Sequence, residues 1–377
     1  MDDATRERAV AAVYEGPETI SVQEFPLPEV GPTGMLVDVT VAGIDGSDIK
    51  FLHGENDTIN DLAPVIMGDE IVGEVVRIGE EAAERRGLSV GDRVVVEAKL
   101  PCMNCEFCVR GNYYTCEKGW RGHTYGWIGC EEPPHLWGSY ASHVFVPDRA
   151  RVYEVPENLP SRSALVGASV LANGYRWTES AGVSLGDDVA VLGPGPQGLG
   201  CTLLAELRGA TVVTVGLERD RERLRKAEEF GAADTVVTEG DQSAPEVSRS
   251  IVDAFGGREP DVVIEAAGAQ SAFDIAVELV RPQGRIAHVS LAGNERIAVD
   301  LDELLLKEVE VQNLLSHPHT VAPALKLASD LEEGPIDLAS LVSHSFPVEE
   351  AETALRTAGY ERDARPLKVV LEPEAPW

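Results

Sequence analysis

The chain has 377 residues, 44% of them hydrophobic and 25% charged; at roughly 150 residues per domain that is two to three domains, which excludes a miniprotein. Sixty-four Asp and Glu against 32 Lys and Arg leave a formal net charge of −32, which repels phosphate backbones and anionic bilayers and argues against nucleic acid as a partner. No apolar run approaches the roughly 18 to 20 residues that cross a membrane, and the charged start, Met1-Asp-Asp-Ala-Thr-Arg-Glu-Arg8, has no apolar h-region, so no membrane association and a cytoplasmic location are expected. Only seven of the 32 basic residues are lysine. The acid excess is dispersed along the chain, which suits either a salt-rich cytoplasm that screens self-repulsion or an ordinary acidic, Arg-rich bacterial proteome.

In chain order, short β-branched runs at 35–43, 70–79, 92–97 and 142–147, separated by Gly/Pro turns, predict the strands of a β-rich, barrel-like module. The texture changes near Ser161. Apolar runs at 189–192, 211–215, 261–264 and 285–289 read as strands buried on both faces, and the segments between them have helical length. One such helix is predicted at 220–230, stopped by Gly231. Strand–helix alternation predicts a parallel sheet wrapped by helices, an α/β fold. A helix at 322–331, a strand at 341–346, a helix at 348–357 and a strand at 367–371 follow. Those closing strands fit the first module better than the sheet.

Gly193-Pro-Gly-Pro-Gln-Gly198 follows the strand at 189–192 and opens a helix near Pro196. In that context Gly193, Gly195, Pro196, Gln197 and Gly198 form a dinucleotide-binding turn: glycines let the backbone approach a pyrophosphate, whose charge sits at the positive end of the helix. The predicted domain is therefore a Rossmann-type, doubly wound parallel sheet. An acidic residue about 20 positions on selects NAD by bonding the ribose 2′-hydroxyl. If the second strand stops at Val215, Gly216 takes that place and leaves room for a 2′-phosphate, with Arg219 or Arg221 as its partner. If Glu218 turns inward, NAD is preferred. The reading leans to NADP over NAD.

Cys102, Cys105, Cys108 and Cys116, spaced C-x2-C-x2-C-x7-C, are four of the six cysteines. Four thiolates complete a tetrahedral zinc and leave no open position, so the expected metal is structural. The spacing departs from the bacterial iron–sulfur run, and disulfides do not suit a chain without an export signal. Cys130 and Cys201 are isolated and read as ordinary thiols.

These two signatures in this order resemble the medium-chain dehydrogenase/reductase superfamily, the zinc-type alcohol and polyol dehydrogenases. The resemblance spans nearly the whole chain, including Ala42-Gly-Ile-Asp-Gly-Ser-Asp48, Pro64-Val-Ile-Met-Gly-Asp-Glu-Ile-Val-Gly73, Gly91-Asp-Arg-Val94 and Glu265-Ala-Ala-Gly268. It implies a split catalytic domain, a GroES-like barrel from residues 1–160 and 319–377 that carries the zinc loop 102–116, with a nucleotide-binding domain at 161–318 inserted. It also implies a small-molecule substrate and a dimer or tetramer of identical chains. In such relatives a second zinc activates the substrate oxygen, held by a Cys, the His of a Gly-His-Glu, and a Cys or Glu leading into the nucleotide domain. Asp45 stands in place of that Cys, Asp69 in place of the His, and Gly167 or Ala168 at the third position. Glu70 is kept, as are Ser47, where the family's proton-relay hydroxyl lies, and its neighbour Asp48.

Two chemistries follow. Asp45, Asp69 and Glu70 hold a metal through oxygen, as in a polyol or sugar dehydrogenase with a carboxylate-bound zinc. Alternatively no metal binds there, and the acids act by protonation, hydrogen bonding or attraction of a cationic group such as an iminium. The second is preferred, because a catalytic zinc keeps three reliable protein ligands. The blander reading makes Asp45 and Asp69 a structural hydrogen-bond pair in a turn. A rival outside enzymology is a nucleotide-binding sensor or scaffold that has lost catalysis. His53 is a candidate proton relay or a surface histidine. His317 and His319 reach the cofactor or cap the helix that follows, and Trp120, Tyr125 and Trp127 line a substrate pocket or simply pack.

Overall fold

The computed structural model describes residues 8–119, 123–362 and 365–373. Compactness divides the chain into one unit of Met1–Ala168, Leu325–Glu333 and Asp337–Trp377 and a second of Ser169–Ala324 and Gly334–Ile336.

In the first unit β1 (Arg8–Gly16) pairs with β2 (Thr19–Pro26) and β4 (Val65–Ile66); this N-terminal hairpin is additional to the strands expected from the sequence. The larger sheet is built around β3 (Met35–Gly43), β5 (Glu70–Ile78), β6 (Arg93–Val96), β7 (His143–Val146) and β8 (Val152–Glu154). β3 buries most of its apolar residues while Thr40 faces outward, and two register shifts against β5 bend the pair, as barrel strands require.

The second unit contains β9 (Asp188–Leu192), β10 (Thr211–Leu217), β11 (Asp234–Thr238), β12 (Val262–Glu265), β13 (Arg285–His288) and β14 (Glu310–Asn313). They form one parallel sheet in the order β11-β10-β9-β12-β13-β14. Successive residues of β9 feed opposite faces: Ala190 and Leu192 pack with Val247, Ile251 and Phe273, whereas Val189 and Val191 pack with Trp177, Cys201 and Ala205. A strand covered on both sides must read as an unbroken apolar run. Each such valine contributes about 1.5–3 kcal/mol by leaving water.

The chain then returns. β15 (Val342–Phe346) pairs with β16 (Lys368–Leu371), and β16 pairs antiparallel with β3, setting Val370 opposite Gly43. The closing strands thus join the first sheet, and they deliver Lys368 to the end of β3.

Candidate functional site

At the end of β3 the chain turns into the helix Gly46–Leu52. Asp45 is its N-cap: Oδ1 accepts hydrogen bonds from the Ser47 N–H at 2.7 Å, the Asp48 N–H at 3.2 Å and the Ser47 hydroxyl at 2.6 Å. Asp48 reciprocates, its Oδ2 accepting the Asp45 N–H at 3.0 Å and closing a capping box, and the Tyr140 hydroxyl donates to the same oxygen at 2.7 Å. Asp45 thus bonds within its own turn to Ser47 and Asp48, and the same bonds aim the Ser47 hydroxyl at a carboxylate.

Glu70 begins β5, in register with Gly43, and Asp69 immediately precedes the strand. Glu70 is buried and ion-paired at 2.7 Å to Lys368, whose side chain is wholly buried and also donates to the Ile44 carbonyl. Gly43 makes the pair possible, since a Cβ there would lie 1.7 Å from Glu70 Oε2. Asp69 is only partly buried, as are Asp45 and Ser47, while Asp48, Glu70, Lys99 and Lys368 lie inside. The site has an accessible layer resting on a buried ionic one.

Burial, reinforced by the Asp45 and Glu70 carboxylates, pushes the Asp69 carboxyl up to about 8, although Lys99 and Lys368 pull it back. Asp48 is raised well above the carboxylate range by burial, then by Asp45 and Asp69. Burial lowers the Lys99 ammonium to about 7 against the attraction of Asp69, Glu97 and Cys116. Lys99 escaped the sequence reading, as did Lys368. The one available signal was their rarity, lysine being scarce throughout the chain.

His53 lies elsewhere in function. Its Nδ1 is 2.6 Å from Glu18 and its Nε2 3.0 Å from Glu361, and Arg356 bridges the same two acids. Its ring nitrogens are committed to a surface ionic network, which is the surface-histidine reading and not the relay. Tyr125 is buried with its hydroxyl on the Phe145 carbonyl, and Trp127 packs edge-on to Phe51; both take the packing role. Trp120 falls outside the described residues.

The four cysteine sulfurs lie within 4.8 Å of one another, with Cys102–Cys108 and Cys105–Cys116 both at 3.9 Å. Four sulfurs about 2.3 Å from a tetrahedral zinc are about 3.8 Å apart, so the loop is shaped for that ion. Backbone N–H groups of Glu117 and Cys108 hold the Cys105 thiol below its usual range, favouring the thiolate a metal needs. Among the described residues, Asp45, Asp69 and Glu70 do not form such a convergent donor set. Cys130 and Cys201 are buried, and burial raises both thiols.

In the second unit, Gly193 has φ +101° and closely approaches Ala267, and a Cβ on Gly198 would sit 1.9 Å from the Gly193 carbonyl oxygen. Gly195 caps the helix Pro196–Leu207, with Pro196 at its first position, where the missing N–H costs nothing. The Gln197 side-chain Oε1 accepts from Asn173 Nδ2, and Asn173 Oδ1 is 3.0 Å from His317 Nδ1. His317 is thus linked to the glycine turn, while its carbonyl accepts from Thr320 at the start of the next helix. β10 runs on to Leu217, so the premise that it stops at Val215 is corrected. Gly216 is inside the strand, and the space beside it is filled by Pro194 and Asp220 instead of being free for a phosphate. Glu218 is the first residue past the strand and pairs with Arg221 at 2.6 Å.

Comparison with known proteins agrees with this architecture. The model described as alcohol dehydrogenase GroES-like domain matches residues 31–157, and that described as zinc-binding dehydrogenase matches 196–330. An erythritol/L-threitol dehydrogenase of Mycolicibacterium smegmatis is 31% identical, covering 99% of this chain and 100% of its own length. A Thermotoga maritima alcohol dehydrogenase structure aligns with a TM-score of 0.83 at 28% identity over 97% of this chain and 100% of that one. A Sinorhizobium meliloti protein described as a zinc-binding dehydrogenase and bound to NADP gives 0.81 at 26% identity over 98% and 100%. A GroES-like β module joined in one chain to a Rossmann-like nucleotide-binding sheet defines a dehydrogenase architecture. The chain belongs to the zinc-type medium-chain dehydrogenase/reductase superfamily.

Proposed function

We propose that this chain is an NAD(P)-dependent dehydrogenase of small alcohols, polyols foremost, whose reacting end works through carboxylates and lysines without a catalytic zinc. The observation that carries the reading is the glycine turn: the room a Cβ would need at Gly198 is taken by the Gly193 carbonyl, at the mouth of a helix N-terminus that suits a pyrophosphate. A bound oxidised nicotinamide would supply the acceptor for a hydride, the carbon-bound hydrogen of the substrate together with its electron pair. The hydroxyl proton is lost to the Ser47–Asp45 pair, and a carbonyl forms. The polyol class follows the relative that acts on erythritol and L-threitol. A cyclic imine is a second substrate class, since the same acids attract an iminium.

The donor set does not suit a catalytic zinc. Asp45 Oδ1 already takes three hydrogen bonds, Glu70 is paired with an ammonium, and the segment at Gly167 and Ala168 offers no ligand side chain. The cysteine loop does suit a zinc, held by Cys102, Cys105, Cys108 and Cys116, which would fix that loop and do no chemistry. NADP is preferred over NAD because Arg221 offsets the Glu218 charge that would repel a 2′-phosphate, with Arg219 adjacent. Exposed Leu301, Leu305 and Leu306 lie near the edge strand β14, which favours pairing with a second copy there.

The experiment is a fluorescence titration with NADPH and NADH, turnover on a panel of polyols, simple alcohols and cyclic imines, and zinc analysis. Tight cofactor binding with polyol turnover and about one zinc per chain supports the proposal. Tight binding with no turnover on any of the panel favours the sensor reading, and two zincs per chain favour the carboxylate-ligated metal.

A further inference from the structure

Tyr140 is a wholly buried side chain to which the dehydrogenase reading gives no task. Its backbone is fixed on two sides: the N–H donates to the Met67 carbonyl at 3.0 Å, and the carbonyl accepts the Ala12 N–H at 2.8 Å. Its ring lies against Gly68, where a Cβ would sit 2.4 Å from Cδ1 and 2.5 Å from Cε1. Gly68 has φ +86°, a left-handed conformation that glycine adopts without strain. Asp69 is the next residue. The tyrosine thus passes one arm of the candidate site, and the hydroxyl at its tip reaches the other.

That hydroxyl donates to Asp48 Oδ2 at 2.7 Å, and the same oxygen accepts the Asp45 N–H at 3.0 Å. A carboxyl oxygen has two lone pairs, and Oδ2 fills both with these donors whether or not Oδ1 carries a proton. Burial holds the Tyr140 phenol well above its usual range, so it remains the donor. Asp45, fixed through its N–H, in turn accepts at Oδ1 from the Ser47 N–H, the Asp48 N–H and the Ser47 hydroxyl, the last at 2.6 Å. Printed contact by contact, the line runs from a buried phenol to a hydroxyl that is partly exposed.

We propose that Tyr140 is a positioning residue for proton removal from the substrate: through Asp48 it holds the Asp45 cap in place and so aims the Ser47 hydroxyl. In the step this serves, the substrate O–H proton passes to the Ser47 oxygen as the Ser47 hydroxyl proton passes to Asp45 Oδ1. Asp45 is partly exposed and returns that proton to solvent. The tyrosine proton does not move. Without the phenol, only the Asp45 N–H of the two donors to Oδ2 remains, and the first turn of a seven-residue helix is held by a looser cap. A displacement of about 1 Å in a reacting group can cost about 100-fold in rate, so a small loosening here is felt at the substrate.

The inference rests on the dehydrogenase reading, and its test separates the two. Tyr140→Phe removes the hydroxyl alone. Tyr153→Phe is the matched control, since it breaks a 3.0 Å bond to the buried carboxylate of Glu97 instead. Amide hydrogen exchange and steady-state kinetics are measured on both, on Ser47→Ala, and on the Ser47→Ala/Tyr140→Phe double variant. In Tyr140→Phe the Asp45, Ser47 and Asp48 amides are expected to exchange at least about tenfold faster, and kcat to fall at least about tenfold with KM and NADPH affinity near wild type. Tyr153→Phe changes neither those amides nor kcat. In the Ser47→Ala background the loss of the phenol lowers kcat no further, because no hydroxyl is left to aim; a merely structural role would lower kcat equally in both backgrounds. Equal losses, or amide exchange at 45–48 that ignores Tyr140→Phe, overturn the proposal. So do wild-type amides at 45–48 that exchange as fast as those of an unfolded peptide, a measurement that stands even if Tyr140→Phe fails to fold. Absence of turnover in the wild-type chain alongside faster exchange in Tyr140→Phe sinks the dehydrogenase reading and leaves the Tyr140–Asp48 anchor in place.

Discussion

Gly43→Ala is a one-carbon change whose consequence can be worked out from the geometry. The added Cβ would lie 1.7 Å from Glu70 Oε2 and 3.1 Å from Lys368 Cε, so the carboxylate must move by more than an ångström and lose its 2.7 Å pairing with the lysine. Both side chains are buried, and disrupting a buried ion pair costs about 3–5 kcal/mol. Replacing Gly by Ala returns about 0.4–1 kcal/mol through the unfolded chain, which leaves a net loss of about 2–4 kcal/mol. Equilibrium urea unfolding measures it, with Gly46→Ala as control because no atom lies within 4 Å of the Cβ added there. The decisive arm repeats Gly43→Ala in a Glu70→Ala background, where the obstacle is gone and the added cost should nearly vanish. Equal costs in the two backgrounds, or a Gly43→Ala variant as stable as wild type, would refute the steric reasoning.

Gly198→Ala should weaken NADPH binding by at least about tenfold, a loss of about 1.4 kcal/mol, because its Cβ meets the Gly193 carbonyl at 1.9 Å; an unchanged fluorescence titration removes the turn from the cofactor site. Folding raises the Asp69 carboxyl from 3.8 to about 8. The folded chain therefore binds a proton that the unfolded chain has lost, and this group lowers stability as pH rises across that window. Asp69→Asn should accordingly gain stability over wild type between about pH 4 and pH 8, and a difference flat with pH contradicts the assignment. Cys105→Ser should drop the zinc content below one per chain and open the 102–116 loop to proteolysis, the four sulfurs being mutually within 4.8 Å. Full zinc retention would mean that the metal is held elsewhere.

What could be read from the chain alone was whatever a short stretch must do locally. The glycine turn and the cysteine loop need fixed residue types at fixed spacing, because a backbone approach or a tetrahedral ion leaves no latitude. The sheet of the second unit was legible because strands covered on both faces are predominantly apolar. His53 illustrates the opposite case. Six residues after Ser47 looks close in sequence, yet six steps of a helix turn about 240°, and the ring comes to rest on Glu18 and Glu361. Gly216 was read as room for a phosphate when it is room for Pro194, a contact between a strand and a turn that no linear pattern announces. Lys99 and Lys368 were invisible for the same reason: one is placed by its bridge to Thr124 and the other by β16 returning to β3 from the far end of the chain.

The choice of lysine at these two positions is itself informative. Elsewhere the chain uses arginine to gather several oxygens at once: Arg93 donates to the carbonyls of Leu159, Pro156 and Glu157, and Arg86 to those of Pro147, Asp148 and Ala150. A guanidinium is a planar fork suited to such work, whereas an ammonium is a compact point charge on a slim stem. Around Lys368 the stem passes so near Gly43 that even a methyl group there would crowd it. At Lys368 the chain places such a compact charge beside a buried carboxylate. At the end of β3 the charge that compensates the buried Glu70 carboxylate is thus the Lys368 ammonium at 2.7 Å, a pair that is stable only while both partners remain.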